Sequence, residues 1–173
     1  MRVLSFLLRY MRCYIMLPRS PRQLFAGLVM IGRTTDKARM YVAGRLGDYT
    51  FGAECPMDSL VWEFLDLDPH VLVEKIRPTG SDDELEIWIA QEYVSKKTSE
   101  EITRWNDFVL TYPQAGSPAY AWMPKIREQY YSKRPDLVTF VDMLDADEGR
   151  HVPVGGTPTA PVRVAPVLKN RQG

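Results

Sequence analysis

Apolar residues recur in steps of three and four along one early stretch: Leu24, Leu28, Ile31, Thr35, Ala38, Val42 and Leu46, with Thr35 as its polar member. That period predicts a first helix from Pro21 to about Leu46, ended by Gly47. Between Leu24 and Ile31 the other positions are apolar too, so this half is expected to be the buried centre of the domain. Ser20-Pro21-Arg22-Gln23 reads as its start. It offers a capping serine, a proline at the first helical position and a glutamine three residues after the cap.

The same signals recur downstream. Ser81-Asp82-Asp83-Glu84 and Thr98-Ser99-Glu100-Glu101 are capping boxes, and Asp68-Pro69 and Ser117-Pro118 are cap-plus-proline starts. Asp58 and Asp136 stand where caps are expected. Helices are predicted near residues 58–67, 69–77, 82–96, 99–112, 118–132, with Pro124 as a break point, and 137–146. Trp62, Trp88, Trp105 and Trp122 fall on different helices, as core anchors do. Tyr49-Thr50-Phe51 favours an extended backbone, but one strand makes no sheet. The fold class expected is all-α: a compact bundle of six to seven helices around a long central helix, with a short extended segment near 49–51.

The ends differ from the middle. Residues 1–19 form a basic amphipathic leader, with Leu4, Leu7, Leu8, Met11 and Ile15 on one side of a helix and Arg2, Arg9 and Arg12 elsewhere. Its apolar run is too short for a secretory signal, so it is expected to pack on the domain or to be an over-long start ahead of Met16, with a membrane-surface helix as the alternative. After Gly149 come Pro153, Pro158, Pro161 and Pro166 with little bulky content beyond valine. Residues 150–173 are therefore expected to be a disordered or extended arm on a helical domain of residues 20–149.

Charge narrows the partners. The 22 basic and 22 acidic residues cancel, which argues against nucleic acid. No run reaches the ~18 apolar residues of a transmembrane segment. Two cysteines, Cys13 and Cys55, are too few for a disulfide framework and fit the cytoplasm. Phosphate-loop, G-x-S-x-G, H-E-x-x-H and paired C-x-x-C motifs are absent. His70 and His151 leave little material for a metal centre, so neither metal nor cofactor is expected.

Two segments carry candidate chemistry. Arg33, Asp36 and Lys37 fall at i, i+3 and i+4 of the first helix, with Arg39 one turn on from Asp36. They suit a pocket in which arginine holds a carboxylate or phosphate and aspartate or lysine moves a proton. The rival is an ion-pair face. Cys55-Pro56-Met57-Asp58 follows Tyr49, and a thiol at a helix entrance can act as a nucleophile. Its rival is a small buried cysteine with Asp58 as a cap.

Ser20-Pro21-Arg22, Arg33-x-x-Asp36-Lys37-x-Arg39, Gly44-x-Leu46-Gly47-x-Tyr49 and Cys55-Pro56-x-Asp58 together resemble the start of a bacterial family. It is known only as a domain of unknown function, number five-zero-six-nine in that series. Phe64-Leu65, the Ser81-Asp82-Asp83-Glu84 start with Trp88, Lys97-Thr98-x-Glu100-Glu101-Ile102 and Phe140-Val141-Asp142-Met143-Leu144-Asp145 extend the resemblance over about residues 17–150. It implies a small bacterial cytoplasmic helical domain and no particular reaction. It also implies that the Arg33–Arg39 face is more than surface decoration, with ion pairs to Asp58 or to the 142–148 acidic stretch as the competing role.

The function expected is a cofactor-independent small-molecule enzyme, of isomerase, cyclase or hydrolase type, acting on a polar or anionic metabolite. Asp36, Lys37, Tyr49 and Cys55 are the candidate catalytic residues. Arg33, Arg39, Asp58 and Trp62 are the candidate substrate contacts. The alternative is a non-catalytic interaction or regulatory module that uses the helical body and the tail to form a homodimer or bind a protein partner.

Overall fold

A computed structural model describes residues 17–78 and 80–158. Most of the leader (1–16) and the tail beyond 158 lie outside these described residues. Within them are seven α-helices: α1 (Ile31–Val42), α2 (Pro56–Leu65), α3 (Pro69–Ile76), α4 (Asp82–Glu92), α5 (Ser99–Leu110), α6 (Pro118–Tyr130) and α7 (Phe140–Asp147). Short 3-10 turns occupy Gly52–Glu54 and Val94–Lys96. No strand occurs among the described residues, and the fold is all-α. Within the expected extended piece Phe51 has extended backbone, at φ −136° and ψ 147°, and it pairs into no strand.

The first helix is the main correction. It starts at Ile31 and ends at Val42, so residues 21–30 are not helical. Phe25 and Leu28 exchange both backbone hydrogen bonds at 3.0 Å, closing a tight turn over Ala26 (φ 52°) and Gly27 (φ 79°). Two successive positive φ angles are what such a turn needs and what a helix excludes. Met30, at φ 71°, then redirects the chain into α1. Leu24 is left 44% exposed, while Phe25, Leu28, Val29, Met30 and Ile31 form part of the main core. An apolar run without polar positions reads the same whether it is a buried helix or a buried loop.

A buried loop must find partners for its peptide groups outside any ladder. Asn106 of α5 supplies two. Its Oδ1 accepts from the Val29 N–H at 2.9 Å, and its Nδ2 donates to the Gly27 carbonyl at 3.0 Å. Trp105 Nε1 donates to the Val29 carbonyl at 3.4 Å, and Glu86 of α4 accepts from the Ala26 N–H at 2.7 Å. The Met30 N–H returns to the Pro21 carbonyl at 2.8 Å. Gly32 allows the close packing beneath, since a Cβ there would stand 2.6 Å from Arg19 Cδ and 3.1 Å from Phe25 Cβ.

Elsewhere the starts follow their sequence signals. Ser81, Thr98 and Ser117 cap α4, α5 and α6, and Thr98 forms the full capping box with Glu101. Asp68 caps α3. Two other expected caps act differently: Thr139 caps α7 while Asp136 pairs with Arg134, and α2 begins two residues before Asp58, with Cys55 at the cap position. Helix α6 runs unbroken through Pro124 and buries only Met123. Trp122, expected in the core, is 59% exposed, because α6 meets only a small second cluster with Leu137, Met143 and Val152. Residues 150–158 lie against the body: Arg134 donates to the Val152 and Pro153 carbonyls, and the Thr157 N–H donates to Asp142.

Replacing Asn106 with alanine orphans a fully buried amide, a change that costs about 1–3 kcal/mol for such a group. Urea unfolding of Asn106→Ala should show that loss as a lower midpoint at unchanged slope.

Candidate functional site

Helix α1 is the axis of the site, and it carries charge into the core. Arg33 is 2% exposed, Lys37 3%, and Thr34 and Thr35 are fully buried. A charge this deep requires a hydrogen-bonded counter-ion. Arg33 finds Glu148 at the end of α7, making two parallel bonds of 2.9 and 2.5 Å. Glu148 also accepts from the Tyr49 hydroxyl at 2.9 Å and from Arg150. The Arg33 guanidinium lies over the Tyr49 ring, 5.5 Å from its centroid.

One turn on, Lys37 Nζ has three neighbours. Asp58 Oδ2 is 2.8 Å away, the Thr50 carbonyl 3.0 Å and Cys55 Sγ 3.2 Å. Asp58, wholly buried in the first turn of α2, accepts from Thr34 Oγ1 at 2.9 Å through its other oxygen. Its Oδ2 is ion-paired with Lys37 without hydrogen-bond alignment and has no further partner. The thiol of Cys55 is free of any disulfide.

These groups border one cleft of about 840 Å³. Its walls are α1, the 44–50 loop, the start of α2 and the end of α7, with Met30, Met40, Met57 and Leu144 supplying apolar surface. Of the eight sequence candidates, Arg33, Lys37, Arg39, Tyr49 and Cys55 line it, and Asp58 sits behind Lys37. Asp36 is not a lining residue. It takes the Arg19 guanidinium and backbone N–H, with contacts of 2.7–2.8 Å. Arg39 borders the cleft, but its guanidinium is bound to Asp82 and the Ser81 carbonyl. Trp62 packs edge-on to Phe51 in the core, 8% exposed.

Glu148 and Thr34 complete the site; Thr34 carries no local signal, and Glu148 is legible only as part of the 142–148 acidic stretch. Glu148 lies 115 residues from Arg33, and the need to neutralise a buried arginine selects it from that stretch. Both ion-pair roles anticipated for the face are present, to Asp58 and to the acidic stretch.

Environment fixes the protonation of two groups. Burial raises the Glu148 carboxyl, but the bonds from Arg33, Arg150 and Tyr49 outweigh it and hold the group below its ordinary range. Burial, then the Glu148 hydrogen bond, pushes Tyr49 up to about 12. Tyr49 is therefore a phenol at neutral pH, a donor and not a base. No group of three His, Cys, Asp or Glu suited to a metal occurs among the described residues. None of their helices is long and apolar enough to cross a membrane.

The sequence model of one family matches residues 15–150, and the chain belongs to that family, described as a domain of unknown function (DUF5069). No curated protein matches the sequence.

Removing one half of a buried pair leaves the other charged, so Asp58→Ala should cost about 3–5 kcal/mol in chemical unfolding. A Lys37→Met/Asp58→Leu double variant should recover most of that loss, because apolar groups replace both charges at once. Glu148, depressed in the folded state, stabilises the fold above the unfolded-state carboxyl value of 4.5. That contribution should fade as pH falls below 4.5, and Glu148→Gln should flatten the acid limb of a stability-versus-pH curve.

Proposed function

We propose that the cleft is the site of a cofactor-independent small-molecule enzyme of the hydrolase type, with Cys55 as nucleophile and Lys37 as its charge partner. One observation supports this above all: an ammonium held by a buried carboxylate touches a free thiol that borders an open cleft. Of the residues gathered there, the thiol is the strongest nucleophile. It stands at the cap position of α2, with the Lys37 ammonium 3.2 Å from the sulfur. In this reading the sulfur attacks an acyl carbon, Lys37 faces the charge that develops, and Asp58 holds Lys37 in place.

The other groups take supporting parts. Arg33, Glu148 and Tyr49 form a rigid wall, since each is already bound to another. Asp36 and Arg39 anchor α1 to Arg19 and α4. The charged lining residues outside ion pairs among the described residues are Arg45, Asp48 and Asp147. They suit a small polar molecule carrying charge of both signs better than a simple anion. The cleft volume falls in the usual range for small-molecule pockets, about 300–1,000 Å³. A working thiol also suits a bacterial cytoplasm, where cysteines stay reduced.

A second reading has its own observation. Helix α6 exposes Tyr120, Trp122 and Tyr130, at 45, 59 and 67%, and exposed aromatics favour an interaction module that binds a protein partner.

A thermal-shift screen of polar metabolites separates the two. A ligand at one hundred times its Kd stabilises by about 2.7 kcal/mol. The enzyme reading expects such a shift for wild type, reduced in Lys37→Met, and turnover of that compound lost in Cys55→Ser. A flat screen, with a partner captured by wild type but not by Trp122→Ala, would favour the interaction module.

A further inference from the structure

The contact between Lys37 and Cys55 has chemistry of its own, independent of any enzymatic turnover. Nζ and Sγ are 3.2 Å apart, within the roughly 3–3.5 Å separation at which held groups react as neighbours. Both side chains are largely buried, at 3 and 8% exposure, yet both border the cleft. A small oxidant can therefore reach the sulfur while bulky thiols are hindered. Oxidised cysteine condenses with whatever nucleophile stands nearest, a thiol or a nitrogen. Here that neighbour is an amine whose proton acceptor, Asp58 Oδ2, is 2.8 Å from Nζ.

We propose that Lys37 and Cys55 are a redox modification site, joined by a reversible sulfenamide cross-link when peroxide enters the cleft. In the first step sulfur attacks a peroxide oxygen and the O–O bond breaks. Sulfur is oxidised by two electrons to the sulfenic acid, and the peroxide is reduced, releasing one water. In the second step Lys37 passes a proton to Asp58 and its nitrogen lone pair attacks sulfur. The S–N bond forms, the S–O bond breaks, and the departing hydroxide takes the proton from Asp58 as a second water; the nitrogen, which began as an ammonium, gives up its remaining extra proton to solvent and leaves a neutral sulfenamide. Counted from neutral groups, thiol, amine and peroxide give sulfenamide and two waters. Two equivalents of an external thiol reverse it, restoring thiol and amine and leaving one disulfide.

The product ties the middle of α1 to the entrance of α2. It blocks the sulfur and removes the lysine charge that faces Asp58. The site thus records oxidant without a second cysteine.

The test uses the full chain carrying Cys13→Ser, so that no disulfide within the chain can mimic the mass change. After hydrogen peroxide and non-reducing digestion, the expected species lacks two hydrogens relative to the thiol form. In it a peptide containing Lys37 is joined to one containing Cys55, trypsin no longer cuts after Lys37, and dithiothreitol restores both free peptides. The same treatment in denaturing urea should give only oxygen adducts of Cys55, because the pair is then separated. Oxygen adducts in the native protein, with Lys37 still cleaved, would overturn the proposal. So would an equal yield of the two-hydrogen loss in urea.

Discussion

A guanidinium cannot leave water without a carboxylate to meet it, and in this fold that requirement organises the rest. Arg33 is buried on α1 with its charge intact, so Glu148 must be delivered to it. Delivering Glu148 brings the end of α7 over α1, and the Tyr49 hydroxyl and Arg150 close around the same carboxylate. The cleft is the space this arrangement leaves between α1, α7 and the 44–50 loop. A well-packed apolar pair could occupy such positions with equal or greater stability. Buried charge therefore adds geometric specificity here, fixing which helix ends face each other and at what distance.

The turn before α1 is the second constraint. Its backbone enters the core without a helix's internal hydrogen bonds, and side chains of α4 and α5 replace them. Asn106 is suited to this because an amide offers donor and acceptor from one rigid plane. Arg19, just upstream, crosses Gly32 to reach Asp36 and Asp82. The position and tilt of α1, and so of Lys37 and Arg33, depend on contacts outside the helix itself.

Which features could be read from residue order follows from the range of the forces involved. Capping is local, and Asp68, Ser81, Thr98 and Ser117 mark real helix starts because each bonds an amide two or three residues away. Ser20 fails as such a marker: its hydroxyl is drawn to Asp145, and the glycine-containing turn at residues 25–28 overrides the helical period. Spacing correctly groups Arg33 with Lys37 but includes Asp36, which lies toward the flank where Arg19 arrives. Cys55 and Tyr49 were legible as chemistry, but their convergence with Lys37 depends on tertiary packing. The exposure of Trp122 was also beyond local reading, since it reflects how little of the body α6 covers.

The long separation between Arg33 and its counter-ion has a temporal meaning. A ribosome makes the chain from its N-terminal end, so α1 and most of its neighbours emerge before α7. Until Glu148 arrives, 115 residues after Arg33, burying that arginine would leave it uncompensated, and α1 is better left hydrated. The cleft cannot be complete until α7, which brings Leu144 and Asp147 to its walls and leads into Glu148, has been made and docked.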